Sequence, residues 1–268
     1  MDAFILAVLQ GITEFLPVSS SGHLVILDEL LPIQSGMLFD LMLHLATLVS
    51  VCAFYRREIA EIFVGCIREL RGAPETQDKK NLKFVGFLLI STFITGIIGL
   101  CLNDAVENHL RSLVIVGSLL VVNAVILWFS QKRGLFRVTD GALNLKSSIV
   151  IGLAQGIAVL PGISRSGSTI TAALLLGIEN KDCAKISFLL SIPVILGAGV
   201  LHIGELDNLD DIVGGSVAIV MAAAVVAAVV GYISLVLLNR ILQNARFHHF
   251  APYCLIVGLL ALGFGIFG

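Results

Sequence analysis

Two stretches of the chain, 10–23 (Gln-Gly-Ile-Thr-Glu-Phe-Leu-Pro-Val-Ser-Ser-Ser-Gly-His) and 155–168 (Gln-Gly-Ile-Ala-Val-Leu-Pro-Gly-Ile-Ser-Arg-Ser-Gly-Ser), repeat one another 145 positions apart. In register they share Gln, Gly, Ile, two Ser and a second Gly, and both interrupt apolar sequence with hydroxyls and glycines. The second stretch carries Arg165. A guanidinium offers planar, paired donors that match phosphate oxygens, and an Arg within an apolar segment is costly enough to suggest function. The plainer reading is a structural cation paired with Glu14. Ser164, Ser166, Gly167 and Thr169 surround Arg165 as phosphate-binding candidates, since Ser and Gly suit a helix start, where unpaired N–H groups attract anions.

The first stretch carries Ser19, Ser20, Ser21 and His23. Each serine is a candidate cap, phosphate contact or nucleophile. His23, one turn into the following helix, is a candidate general base, general acid or nucleophile. Gln10 and Glu14 lie four apart and share a helix face. Glu14 is a candidate general base or, with the Gln10 amide oxygen, a ligand for Mg2+ or Ca2+, which favour oxygen donors. Such a cation would neutralise a bound pyrophosphate. Gln155 matches Gln10, but the residue four further on is Val159, so the second stretch is expected to bind without supplying an acid. The residues together predict a site for a phosphorylated molecule.

The elements that must bring these groups together are membrane helices. The 268 residues are 57% hydrophobic and 13% charged, with mean hydropathy +0.99; a soluble domain carries about 25% charged residues. Six segments reach the roughly 20 apolar residues a crossing needs: 37–55, 82–102, 112–129, 186–203, 212–238 and 250–267. The segments flanking the two motifs, 2–16 with 23–31 and 148–160 with 168–177, are too short or too interrupted. Each pair reads as a re-entrant hairpin, tolerated at depth only inside protein or beside water. Lys and Arg cluster in 56–83, 131–146, 179–185 and 239–249, while 103–111 and 204–211 are acidic. The positive-inside rule then puts both termini outside. Three spans per half is an odd number, so the halves oppose one another. The fold expected is an all-α integral membrane protein with an inverted repeat, each half a re-entrant pair plus three spans. It forms a single membrane domain, 1–268, with repeat 1 at 1–130 and repeat 2 at 145–268, joined by a cytoplasmic loop 131–144, and both breaks meet near mid-membrane. An amphipathic stretch, 59–70, is expected on the inner surface, ended by Gly72-Ala-Pro74. No signal peptide is expected, because no Lys or Arg precedes Arg56.

Other polar groups are expected to play lesser parts. Asp40 and His44, four apart, are expected to pair with each other. Asn123 and the group from Ser91 to Thr95 read as helix-packing contacts, Arg56 and Arg57 as topology signals, and His202, His248 and His249 as interface residues. Cys52, Cys66, Cys101, Cys183 and Cys254 lack metal or redox spacing and read as small hydrophobes. No nucleic-acid partner is expected; a homodimer is compatible with the sequence.

At these residues the chain resembles the undecaprenyl-diphosphate phosphatase family, bacterial membrane enzymes linked to bacitracin resistance. Gln10-x-x-x-Glu14 resembles the family's (E/Q)xxxE motif, 15–23 its Ser/Gly/His stretch, Pro161-Gly-Ile-Ser-Arg-Ser-Gly-Ser-Thr169 its PGxSRSGxT motif, and 184–193 the span that follows. Gln10 is the less acidic of the two options at its position, and Ser168 stands where many members have Ala. The resemblance implies removal of the terminal phosphate from undecaprenyl diphosphate, recycling the lipid that carries cell-wall precursors. It implies dependence on Mg2+ or Ca2+ and a site on the outer face of the bacterial inner membrane. It also implies functional roles for Glu14, Ser19, Ser20, His23, Ser164, Arg165 and Thr169. Two competitors remain. Inverted repeats with mid-membrane breaks are also transporter features, so a polyprenyl-phosphate flippase, alone or combined with hydrolysis, is the alternative. The lipid phosphatases with a histidine nucleophile are echoed by Ser20-Ser21-Gly22-His23, but their Lys-x6-Arg-Pro motif is missing and no His lies between Arg165 and His202.

Overall fold

The computed structural model describes residues 2–30, 37–72, 75–136, 143–201, 217–244 and 246–267. His202, Pro74, the acidic loop 204–211, the start of the 212–238 segment and residues 137–142 of the loop 131–144 lie outside them. Among the described residues there is no strand. The order is α1 (Asp2–Thr13), α2 (Ser20–Leu30), α3 (Met37–Phe54), α4 (Arg56–Leu70), α5 (Thr76–Asn108) and α6 (Leu113–Phe129). Then follow α7 (Leu145–Ile157), α8 (Arg165–Leu175), α9 (Asn180–Leu201), α10 (Val217–Gln243), a 3-10 turn (Phe247–Phe250) and α11 (Ala251–Phe267).

Among the described residues four helical stretches are long and apolar enough to cross a membrane: Thr76–Val106, Asn180–Leu201, Val217–Gln243 and Phe247–Phe267. The outward faces of these helices are apolar: Leu89, Phe93 and Leu100 on α5, Val225, Val229 and Ile233 on α10, and Ile256 and Leu260 on α11 are all exposed. So continuous an apolar surface does not suit water, and the chain is a multi-pass membrane protein.

Two of the six expected spans differ in detail. The 37–55 segment ends at a sharp bend: α3 passes into α4 at 76°, and the two count as a fifth span only if taken together. The turn falls where apolar sequence gives way to Arg56 and Arg57, and α4 exposes those charges. The 112–129 segment forms α6 with only 17 residues, about 26 Å at the rise of an α-helix, a little under the hydrocarbon thickness.

Both motif stretches form a helix, a tight break and a second short helix. α7 starts with a capping box in which Asn144 and Ser147 exchange side-chain-to-backbone bonds. The breaks are built alike. Ser164 caps α8 by accepting from the Gly167 N–H at 3.1 Å, and Ser19, 145 positions earlier, accepts from the Gly22 N–H at 3.3 Å at the start of α2. Each cap touches the hydroxyl two residues on, Ser164 to Ser166 at 3.1 Å and Ser19 to Ser21 at 3.4 Å.

Helices far apart in the chain pack on one another. α1 lies on α10, α7 on α5, and α6 on α11. The α6–α11 contact depends on two small residues, because a Cβ on Gly117 would sit 2.8 Å from the Gly258 carbonyl oxygen, and one on Gly258 2.8 Å from that of Gly117.

Candidate active site

Asn123, buried on α6, joins the two breaks. Its Nδ2 donates to the Pro17 carbonyl at 3.0 Å, and its Oδ1 accepts from the Ser164 N–H at 3.1 Å. Ser19 makes a second tie: its hydroxyl oxygen accepts from the Gly162 N–H at 3.1 Å as well as from Gly22. To do so Ser19 adopts φ +69°, a left-handed conformation that costs a non-glycine residue energy. The backbones come close enough that a Cβ on Gly22 would lie 3.0 Å from the Gly162 Cα.

The loops converge on Glu14, which is buried. Its Oε1 is ion-paired with Arg165 across the breaks. Its Oε2 accepts from the Ser20 hydroxyl at 2.8 Å and from Gln10 Nε2 at 3.0 Å, and lies 3.4 Å from His44 Nε2. A carboxylate buried this way is tolerable only because it is paired and hydrogen-bonded. A guanidinium and serine hydroxyls gathered around one acid give the site hydrogen-bond donors that suit an anionic ligand.

A cavity of about 360 Å³ opens onto this cluster. Its walls include Glu14, Ser19, Ser20, Ser21, Ser164 and Arg165, with Asp40, His44 and Arg111. Apolar walls come from Leu24, Val25, Val194 and Ile195. A polar floor with an apolar flank fits an amphiphile whose head is charged and whose tail is hydrocarbon.

Not every expected site residue reaches this wall. Gln10 sits behind Glu14 and is fully buried. Ser166 and Gly167 support the Ser164 cap. Thr169 donates to the Arg165 carbonyl at 2.8 Å and meets the Ser187 hydroxyl at 2.6 Å, fixing the turn that carries Arg165. His23 is also behind the wall. Its Nδ1 faces the Ser19 carbonyl at 2.8 Å and its Nε2 the Tyr253 hydroxyl at 2.8 Å. The three serines thus part company: Ser19 ties the loops, Ser21 rests against Ser19, and Ser20 addresses the acid.

The structure also brings in residues that spacing alone did not assign to the site. His44 does meet Asp40, through the Asp40 main-chain carbonyl at 2.8 Å, which leaves the far edge of the ring toward Glu14. Asp40 itself faces Arg111 at 3.6 Å. Ser91 and Thr95 are packing contacts, donating to the α7 carbonyls of Ser148 and Gly152 at 2.9 and 3.1 Å. Asn123 ties down both breaks and is more than a packing contact. Its only sequence signal is an amide in an otherwise apolar helix.

Among the described residues no group of three or more His, Cys, Asp or Glu forms a metal cage. Mg2+ does not need one, because it is often held by one or two carboxylates and substrate phosphates. Glu14 beside Gln10, whose Oε1 is buried without a hydrogen-bond partner, is a donor set that fits such a cation.

The family profile described as Bacitracin resistance protein BacA matches residues 3–260. The chain is 37% identical over 270 residues to the undecaprenyl-diphosphatase of Methanosphaera stadtmanae, covering 98% of this chain and 96% of that one. It is 39% identical to the protein of that name in Desulfosudis oleivorans, covering 99% and 98% of the two chains. For the one in Geobacter sulfurreducens the identity is 38%, with 98% and 97% covered. The chain belongs to the BacA bacitracin-resistance family.

Proposed function

We propose that the cavity hydrolyses undecaprenyl diphosphate to undecaprenyl phosphate and inorganic phosphate, recycling the lipid carrier for cell-wall synthesis. The observation that carries this reading is the junction of the two breaks, where Arg165 and Ser20 meet on one buried carboxylate inside a cavity with apolar walls. Relatives matched over nearly their full length bear the name of this diphosphatase, and they lend the transporter alternative no support.

In the mechanism, the polyprenyl tail lies against the apolar wall and the diphosphate enters over Glu14. Arg165 exchanges its carboxylate partner for phosphoryl oxygens, with the Ser164 and Ser21 hydroxyls beside it. Glu14 Oε2, already accepting from Ser20, takes the proton of the attacking oxygen. That oxygen is Ser20 Oγ or a water in its place. His23 Nε2 faces Tyr253, which disfavours direct attack by that ring. Phosphoryl transfer asks chiefly for placement and charge stabilisation, and a fixed guanidinium and acid supply both. Thr169, Ser166 and Gly167 hold Arg165 and Ser164 in place. Glu14 and Gln10 would hold a Mg2+ or Ca2+ ion, which when bound neutralises charge on the diphosphate.

An inverted repeat with six spans fits the packing: α1–α10 and α7–α5 are reciprocal contacts between halves. The matching motif glycines support both. A Cβ on Gly11 would lie 2.8 Å from Val230 Cβ on α10, and one on Gly156 2.9 Å from Ile98 Cβ on α5. Charge asymmetry supports a topology with both termini and the cavity mouth outside a bacterial inner membrane and α4 on the inner surface. Phosphate release from purified protein in detergent, with a C55 diphosphate and with or without chelator, tests the function. Transport alone releases none, and chelation should suppress the rate.

A further inference from the structure

We propose that Arg111 binds the phosphate that stays on the lipid, so that the cavity divides a diphosphate between two guanidiniums; the proposal rests on the phosphatase reading above. Charge asymmetry gives no reason for a cation at this place. The other charged residues of 103–111 are the acids Asp104 and Glu107, yet the segment ends in Arg111, just before α6. The fold brings Arg111 to the wall of the cavity that also holds Glu14, Ser20 and Arg165.

Two pairs of acid and guanidinium line this cavity, and they differ. Arg165 is ion-paired with Glu14, and its side chain is 16% exposed. Arg111 Nη2 lies 3.6 Å from Asp40 Oδ2, and its side chain is 39% exposed. That separation allows charge pairing but is too long for a hydrogen bond. Among the described residues no group accepts a hydrogen bond from Arg111. Its donors are therefore open to a phosphate, which a guanidinium can hold through two parallel N–H bonds. An exposed ion pair is also weak, so Arg111 gives up Asp40 for a phosphate more readily than Arg165 gives up Glu14.

Which phosphate goes where follows from the chemistry of the substrate. Cleavage takes place at the terminal phosphorus, which belongs with Ser20 and Arg165. The other phosphate carries the hydrocarbon tail and must sit where the apolar wall begins. Leu38 and Leu41, on either side of Asp40 in α3, and Val106, near the end of α5, belong to that wall. One ring separates the two acids: His44 meets the Asp40 main-chain carbonyl at 2.8 Å through Nδ1 and lies 3.4 Å from Glu14 through Nε2. The two pairs are thus neighbours in one cavity, as the two phosphates are neighbours across one bridging oxygen. A diphosphate engages both guanidiniums. After cleavage the lipid monophosphate keeps its contact with Arg111, and inorganic phosphate keeps the one with Arg165.

The test is calorimetric titration of detergent-purified wild type, Arg111→Ala and Asp40→Asn with a C55 monophosphate and, separately, with inorganic phosphate. Arg111→Ala should weaken the lipid monophosphate by about 10- to 100-fold, the scale of one charge-assisted contact, and should bind inorganic phosphate as wild type does. Asp40→Asn removes the competing carboxylate and keeps the main-chain carbonyl that meets His44. It should therefore bind the lipid monophosphate at least as tightly as wild type, whereas a purely structural ion pair would make both variants weaker. Three results would each overturn the proposal: equal affinity of wild type and Arg111→Ala for the lipid monophosphate, equal losses for both ligands, or weaker binding by Asp40→Asn. Asp40→Asn carries the test alone if a thermal melt shows Arg111→Ala misfolded. A wild type that binds the lipid monophosphate through Arg111 but releases no phosphate from a C55 diphosphate would instead overturn the phosphatase reading, with the contact itself intact.

Discussion

Asn123→Ala removes a side chain that bonds both breaks. Its two hydrogen bonds to the breaks disappear, to the Pro17 carbonyl at 3.0 Å and from the Ser164 N–H at 3.1 Å, along with a weaker one to Cys254 Sγ at 3.4 Å. Side-chain hydrogen bonds in membrane proteins are worth about 0.6 kcal/mol on average and up to about 1.7. Two of them give roughly 1–3 kcal/mol. The upper part of that range applies here, because Asn123 is fully buried and its former partners are left without water. The variant should therefore unfold measurably earlier in a detergent thermal melt. Activity should fall further than stability does. Ser164 caps the helix that begins with Arg165, and a misplacement of about 1 Å at reacting groups can cost about 100-fold in rate. The assay is phosphate release at a temperature where circular dichroism shows both proteins folded. A variant that melts with wild type and keeps its kcat would show that the breaks hold together without this clamp, and the reasoning would fail.

Gly162→Ala tests the same junction sterically. Gly162 sits at φ +109°, and a Cβ there would lie 2.7 Å from the Val116 carbonyl oxygen. Backbone strain alone costs about 1–3 kcal/mol, so expression and melting temperature should drop together, whereas a wild-type melt would contradict the close approach. Ser20→Ala separates the two possible attacking oxygens. A loss of about 100-fold or more is expected for a nucleophile aided by a base, and phosphate release at the full wild-type rate would assign the attack to water.

Much of the architecture was legible because it depends on composition and period. Long apolar runs marked four of the six expected spans, the Ser/Gly breaks fell where helices are interrupted, and an Arg and a Glu inside apolar sequence meet as an ion pair. The capping of α2 and α8 follows from where serine stands before each short helix. The limits are equally physical. Sequence spacing sees neighbours on one helix, not across helices. It paired Asp40 with His44, which was right locally, but the ring's other edge faces a residue thirty positions away on a different break. It counted three adjacent serines as equivalent, because their division of labour depends on the positive φ at Ser19. It set His23 beside hydroxyls and opposite an Arg, and could not see Tyr253, whose hydroxyl meets the ring's Nε2 from the far end of the chain. The bend at Tyr55 was hidden because apolar count does not report helix direction.

The most direct test of a single site shared by both breaks is the rate of phosphate release by Arg165→Ala against wild type, each purified in detergent and checked for fold by thermal melt. Arg165 comes from one break and its partner Glu14 from the other, so the account predicts a folded protein with turnover lowered by at least about 1,000-fold, within the range a charge-stabilising arginine supplies in phosphoryl transfer. Turnover at the wild-type rate in that variant would contradict it.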